Sequence, residues 1–266
     1  MPVVCPIELP RISDDEMRSI DYKVMKHAFT SHNELGRLAD EIVYHGKLLR
    51  HLHSDGIEAV TRVPIKLSFG GFSIQLVIDL AVAGKVIYEL KAVAALLPVH
   101  ESQLLDYLFL TNATHGKLVN FRTKSVESKF VNTTLSLSER RQFELCTRQY
   151  AGGSDLPDLI FALVTDWGTG LNAAFYRRAL LHCLASGTQV EQLLPMTSGQ
   201  HWIGNQRFHL LDPDSALGVT TFKDRGTASM TDFQKLISAS NLSRFHWLNI
   251  THHRVTLSTI HRDHRQ

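Results

Sequence analysis

The chain is poor in cysteine. Its 266 residues contain three, Cys5, Cys146 and Cys183, with no Cys-x-x-Cys or Cys-x-x-His spacing, which argues against both a zinc site and a disulfide framework. An odd, scattered count fits a reducing compartment, so a cytoplasmic location is expected. Long apolar runs are also missing. No stretch of about 18 uninterrupted apolar residues occurs, so no membrane-spanning helix and no membrane partner are expected. The opening MPVVCPIELPRISDD lacks a basic segment followed by an apolar one, the pattern of a secretory signal. Charge of one sign is not in excess either: 28 Lys and Arg against 26 Asp and Glu leave a net charge of +2, and no strong basic field announces a polyanionic partner. Gly70-Gly71 and Gly152-Gly153 read as turns, because neither pair opens a helix with Lys-Ser/Thr as a nucleotide-binding loop requires.

What is present suits a folded chain of about two domains. Hydrophobic residues make up 44% and charged residues 20%, enough apolar surface for a core and too little charge for disorder. The 15 histidines invite metal hypotheses, yet His252-His253 would face opposite sides of a strand, and His261 with His264 has no partner motif. The tail from Ser243 carries Arg244, Arg254, Arg262 and Arg265 with five histidines. It reads as a solvated terminus, with phosphate contact as the alternative.

The most informative stretch is VIDLAVAGKVIYELKAV, where two β-type runs meet at Ala83-Gly84. Alternation along a strand points Glu89 and Lys91 one way and Leu90 the other. A tight hairpin brings Asp79 alongside them. Two carboxylates and an ammonium at a sheet end suit a divalent cation and activation of water against a phosphodiester. By itself the pattern is common at solvated strand edges; its neighbours give it weight. Upstream, Leu38 to about His53 reads as a helix with Ile42, Leu48, Leu49 and Leu52 as its apolar stripe, ended by Gly56. Downstream, Pro98 opens a helix whose buried face is Leu104, Leu105, Leu108 and Phe109. His100, Gln103 and Tyr107 share another stripe that faces the polar end of the hairpin. A strand, Gly116 to Phe121, follows. The expected order is αβββαβ in a mixed α/β sheet, that of restriction-endonuclease-like nucleases.

From about Asp21 to Asn132 the chain resembles the GxxExxY proteins of the PD-(D/E)XK nuclease superfamily, through ELGRLADEIVY, IDLAVAGKVIYELKAV, LLPVHESQLLDYLFLT and GKLVNF. In the namesake motif Glu41 and Tyr44 are present, while the leading glycine position is Leu38. The resemblance implies Asp79, Glu89 and the backbone carbonyl of Leu90 as metal ligands, Mg²⁺ as the metal and Mn²⁺ as its substitute. It implies that Lys91 orients or deprotonates the attacking water, that Glu41 adds a carboxylate, and that Gln103 is a polar helper at the rim. Tyr44, His100 and Tyr107 read as supporting residues behind these.

The same order of elements returns in the second half. LNAAFYRRALLHCLASG reads as a helix from about Leu171 to Ala185 ended by Gly187. Three strands follow, then a helix in TDFQKLISAS capped by Thr231, then strands RFHWLNI and RVTLSTI. Tyr176 falls 132 positions after Tyr44, Lys223 132 after Lys91, Asp212 133 after Asp79 and Asn249 129 after Asn120. These steady offsets suggest an internal duplication with a nuclease-like domain over 14–135, a linker over 136–157 containing a short helix from Arg140 to Tyr150, and a second copy over 158–262. Ala173 stands for Glu41 and Thr221 for Glu89 in that copy, so it should hold no metal and could act as a pseudo-dimer partner within the chain; a homodimer is the alternative. Trp167, Trp202 and Trp247 read as core or interface aromatics, with base stacking as the other option. The leading function is metal-dependent hydrolysis of DNA or RNA. The rival is a non-catalytic nucleic-acid-binding or scaffolding protein on a nuclease-derived fold, and a small-molecule hydrolase is third.

Overall fold

A computed structural model describes residues 2–184, 191–222 and 227–262. The chain divides into two compact units, Met1–Ser68 with Ser73–Leu137, and Phe69–Phe72 with Ser138–Gln266. The fold class is the expected one, mixed α/β with the αβββαβ order of restriction-endonuclease-like proteins. No helix among the described residues is long and apolar enough to cross a membrane.

The first unit runs β1 (Val3–Val4), α1 (Asp14–Leu35), α2 (Glu41–Ser54), β2 (Ala59–Phe69), β3 (Phe72–Val82), β4 (Val86–Lys91), α3 (Pro98–Thr111), β5 (His115–Asn120) and β6 (Glu127–Asn132). Its sheet has the order β1-β2-β3-β4-β5-β6, with β4 parallel to β5 and the pairs β1–β2, β3–β4 and β5–β6 antiparallel. The β3–β4 turn uses Ala83 and Gly84 at positive φ, 53° and 59°, a conformation free for glycine and costing alanine about 1 kcal/mol. Because β4 and β5 are the parallel pair, both faces of each are covered. Val86, Ile87, Tyr88, Glu89 and Leu90 are all fully buried.

On α2, Tyr44, Leu48 and Leu52 are buried and Leu49 packs against the same core, but Ile42 is 60% exposed. At 100° per residue Ile42 lies roughly 100° from the middle of the buried stripe, which runs instead through Tyr44, His45, Leu48 and Leu52, with the half-exposed Glu41 in line at its start. Glu41 therefore sits on the sheet side of the helix. The helix α1 went unread in the sequence. Its buried residues, Met17, Asp21, Val24, His27, Ala28, Ser31 and His32, recur at helical spacing, but four are polar and blunt the periodic signal. Ser13 caps it by accepting the Glu16 N–H at 3.3 Å, a Ser-x-x-Glu start that the sequence does display.

The second unit runs α4 (Leu137–Arg140), β7 (Glu144–Gln149), α5 (Asp155–Trp167), α6 (Ala173–Leu184), β8 (Glu191–Ser198), β9 (His201–Asp212), β10 (Ser215–Thr220), α7 (Thr227–Ser238), β11 (Arg244–Ile250) and β12 (Arg254–His261). Its sheet order is β7-β12-β11-β10-β9-β8, with β10 parallel to β11. Two expectations change here, the first within the segment 136–157. The short helix expected from Arg140 to Tyr150 is instead the strand β7, which pairs with β12. Arg140 before it is buried, donating to the carbonyls of Thr169 and Trp167 at 2.6 and 2.8 Å. Thr231 lies inside α7 rather than at its start. The expected stop at Gly187 falls outside the described residues.

Both units thus carry two helices, three strands, a helix and two strands, with a parallel pair across the last crossover. Two local devices recur. The Tyr44 hydroxyl donates to the Gly36 carbonyl and the Tyr176 hydroxyl to the Gly168 carbonyl, each at 2.6 Å. Asn120 clamps the backbone of Val93, accepting at 3.1 Å and donating at 2.8 Å, and Asn249 clamps Phe222 at 2.8 and 3.1 Å. Lys91 lies beside Asn120, and Thr220 beside Asn249. By that register Thr220 stands at the position of Lys91 and Gly218 at that of Glu89. The sequence offsets, which placed Thr221 at Glu89, are off by three. Asp212 sits at the β9–β10 turn, where its carboxylate accepts from the Asp214 N–H and the Ser215 hydroxyl, so it does not match Asp79. Lys223 lies outside the described residues.

Candidate metal centre

Burial is what makes this site unusual. Central position in the sheet leaves the Glu89 side chain with no solvent exposure, while Lys91 at the strand end keeps 12% and Asp79 on β3 keeps 19%. The Asp79 Oδ2 accepts the Leu90 N–H at 2.9 Å, which fixes the carboxylate across the hairpin. Lys91 Nζ donates to Glu89 Oε1 at 2.5 Å and stands 3.9 Å from Asp79 Oδ2. Desolvation, then repulsion from Asp79, pushes the Glu89 carboxyl up to about 8 despite its lysine. Burial alone would lower the Lys91 ammonium, but the charges of Glu89, Asp79 and Glu41 outweigh it and the net direction is upward.

From α2, Glu41 and His45 approach the same aspartate. His45 Nε2 lies 3.8 Å from Asp79 Oδ2 and 3.9 Å from Glu41 Oε1. One ligand atom from each of Glu41, His45 and Asp79 falls within 4.8 Å of the others. Ligands around a single small dication lie about 3 to 4.2 Å apart, so modest side-chain movement would bring the three together. The polar bookkeeping points the same way. Glu89 Oε2 and both ring nitrogens of His45 are buried without a hydrogen-bond partner, a costly state in a finished core. Burial, aided by Lys91 and Arg62, holds the imidazole below its ordinary range against the pull of Asp79 and Glu41, which keeps a lone pair available. These residues fit a divalent cation: carboxylate oxygens for a hard ion, and one nitrogen suited to the first transition series.

The other expected residues divide. Gln103 donates to the Tyr107 hydroxyl at 2.8 Å. Tyr107 is close enough to the centre that, after burial, the charge of Glu89 raises its hydroxyl above the usual range. Tyr44 packs in the core, stacking on Phe121 with ring centres 4.5 Å apart. His100 works at the helix start, its Nδ1 accepting the Leu97 N–H at 3.0 Å. Two residues were not foreseen. His45 has a readable signal, since it follows Glu41 by one helical turn. Arg62 has none: it is an exposed residue of β2 at φ 57°, a left-handed position that costs a non-glycine about 1 kcal/mol.

Residues 18–132 match the family model of the PD-(D/E)XK nuclease superfamily, whose members generally use divalent metals on nucleic acid. Among solved structures, the crystal structure of SSO0001 is similar at 19% identity over 48% of this chain and 81% of that one, with a TM-score of 0.29, too loose a likeness to carry residue roles. No curated protein matches the chain.

Proposed function

We propose that the first unit is a nuclease domain of the GxxExxY type, spanning 14–135 and hydrolysing phosphodiester bonds of DNA or RNA with Mg²⁺, for which Mn²⁺ substitutes. The observation that carries this reading is the convergence of Glu41, His45, Asp79, Glu89 and Lys91, with Glu89 and His45 each holding buried polar atoms that no protein group satisfies. Asp79, Glu89 and the Leu90 carbonyl would hold the metal, with Glu41 and His45 completing the set from α2. When bound, the cation polarises a phosphoryl oxygen and lowers the pKa of a water. Lys91, whose ammonium its carboxylate neighbours stabilise, donates to and orients the attacking water and offsets charge developing on the phosphate. Gln103 and Tyr107 line the rim, and Arg62 offers a cation to the phosphate on the other side.

We read the second unit, 158–262, as a copy without this chemistry, because Gly218 and Thr220 occupy the positions of Glu89 and Lys91. The rival reading is a non-catalytic nucleic-acid-binding or scaffolding protein on the same fold. The test is incubation of purified protein with labelled single- and double-stranded DNA and RNA in Mg²⁺, Mn²⁺ or EDTA, with Lys91→Ala as the control against a contaminating nuclease. Metal-dependent cleavage that Lys91→Ala abolishes supports the proposal. Cleavage that survives Lys91→Ala, or none on any substrate, overturns it.

A further inference from the structure

The second unit lacks carboxylates where the first has them, yet it has a large polar cleft. Its cavity of about 910 Å³ is lined in part by Lys235, Arg244 and Arg262, with Gln234, Ser238 and Ser243 supplying neutral hydrogen-bonding groups. Among the described residues, no Asp or Glu lines it. Lys235 meets Asp232 at 3.2 Å and Arg244 meets Asp212 at 3.5 Å. Both are exposed pairs, worth little, so either cation can exchange its partner for another anion.

The β8–β9 hairpin forms one wall through Thr197, Ser198 and Gly199. Thr197 is paired across that hairpin with Trp202. The three tryptophans of the chain differ sharply. Trp167 and Trp247 are 2% and 4% exposed, whereas Trp202 is 66% exposed, beside Ile203 at 62%. An indole left in water on the hairpin that walls the cleft has no core to serve, and its N–H is already donated to Asn205 Oδ1 at 3.3 Å. Its π-face and the cations that line the cleft are the two components that single-stranded nucleic acid requires: a platform for bases and a charged track for phosphates. A duplex would keep its bases stacked internally and present no face to the indole.

We propose that the cleft of the second unit, with Arg244, Arg262 and Lys235 on the phosphates and Trp202 under a base, is a binding site for single-stranded nucleic acid. It uses none of the residues of the metal centre, and it gives Arg244 and Arg262 of the basic tail a role.

The test is fluorescence anisotropy of a labelled oligothymidylate on the full chain in EDTA, where no metal-dependent cleavage occurs. The double variant Arg244→Ala/Arg262→Ala should weaken binding at least about tenfold and reduce the salt slope of log K by roughly 1.4, two phosphate contacts on a single strand. Trp202→Ala should weaken it about tenfold as well, and Trp202→Phe should restore most of the loss, since stacking needs a ring and not the indole N–H. Quenching of tryptophan emission on titration should vanish in Trp202→Phe, because the other two indoles are buried. Unchanged binding by Trp202→Ala, equal affinity for a duplex of the same length, or no binding by the parent chain overturns the proposal without touching the nuclease reading.

Discussion

At Glu89 the first unit buries a carboxylate beside Lys91 and Asp79. At the matching position the second unit has Gly218, and a Cβ built there would lie 2.3 Å from the Phe245 ring. Phe245 stacks on Phe233 at 4.9 Å, and Phe233 in turn meets Trp247 at 5.2 Å. Thr220, in the place of Lys91, accepts the Trp247 indole N–H and donates to Asn249. One topology thus supports two interiors. Where the sheet end is charged, buried groups are left without partners and the site is ready for an ion. Where it is aromatic, every polar group named here is satisfied and the same space is closed by packing. An unsatisfied core marks function more sharply than the fold does.

The comparison breaks most decisively at the aspartates. Asp79→Asn should remove a hard anionic ligand and reduce Mn²⁺ affinity by calorimetry and cleavage by at least about a hundredfold, whereas Asp212→Asn, at its turn, should change neither. Reversed results would mean that the active unit has been misassigned.

Protonation sharpens it next. The Glu89 carboxyl is raised in the folded chain, to about 8 from an ordinary 4.5, so the folded state binds a proton that the unfolded state has released. Its stabilising contribution is complete below about pH 4.5 and is lost as pH rises through about 8. Thermal melts of metal-free Glu89→Gln should therefore show a gain over the parent that grows from pH 5 to pH 9, on the order of 2–4 kcal/mol. Mn²⁺ should stabilise the parent at high pH and leave the variant unchanged. A parent whose stability does not fall over that range would remove the buried-carboxylate argument.

A packing test acts on the other side. Gly218→Ala should destabilise the second unit by about 1–3 kcal/mol in urea melts, because the Phe245 ring must move, with cleavage by the first unit retained. The smallest expected effects are the matched ones. Asn120→Ala and Asn249→Ala each strand a backbone N–H and carbonyl, at Val93 and at Phe222, and should each cost about 1–3 kcal/mol. Equal losses fit two copies of one architecture; a loss in one unit only would make the shared clamp a coincidence of geometry.

Much of this was legible in the chain itself. Alternation and a hairpin turn placed Asp79, Glu89 and Lys91 together, since strand periodicity is local. The repeated order of helices and strands was readable for the same reason. Helix α1 was not, because Asp21, His27, Ser31 and His32 are buried by tertiary partners: Asp21, for one, receives Lys117 at 2.6 Å from a strand far along the chain. Strand β7 was misread as helical because its pairing with β12 is non-local.

The sequence by itself determined the charged hairpin and the elements around it, all set by neighbours within about a dozen residues; α1 and β7 lay beyond that reach. Tertiary structure alone decided the rest. It turned Glu41 and His45 onto Asp79, it set the second unit's register so that Gly218 rather than Thr221 takes the position of Glu89, and it left Trp202 in water while burying Trp167 and Trp247. Each of those outcomes depends on which surfaces pack together, and packing joins residues that the linear chain keeps apart.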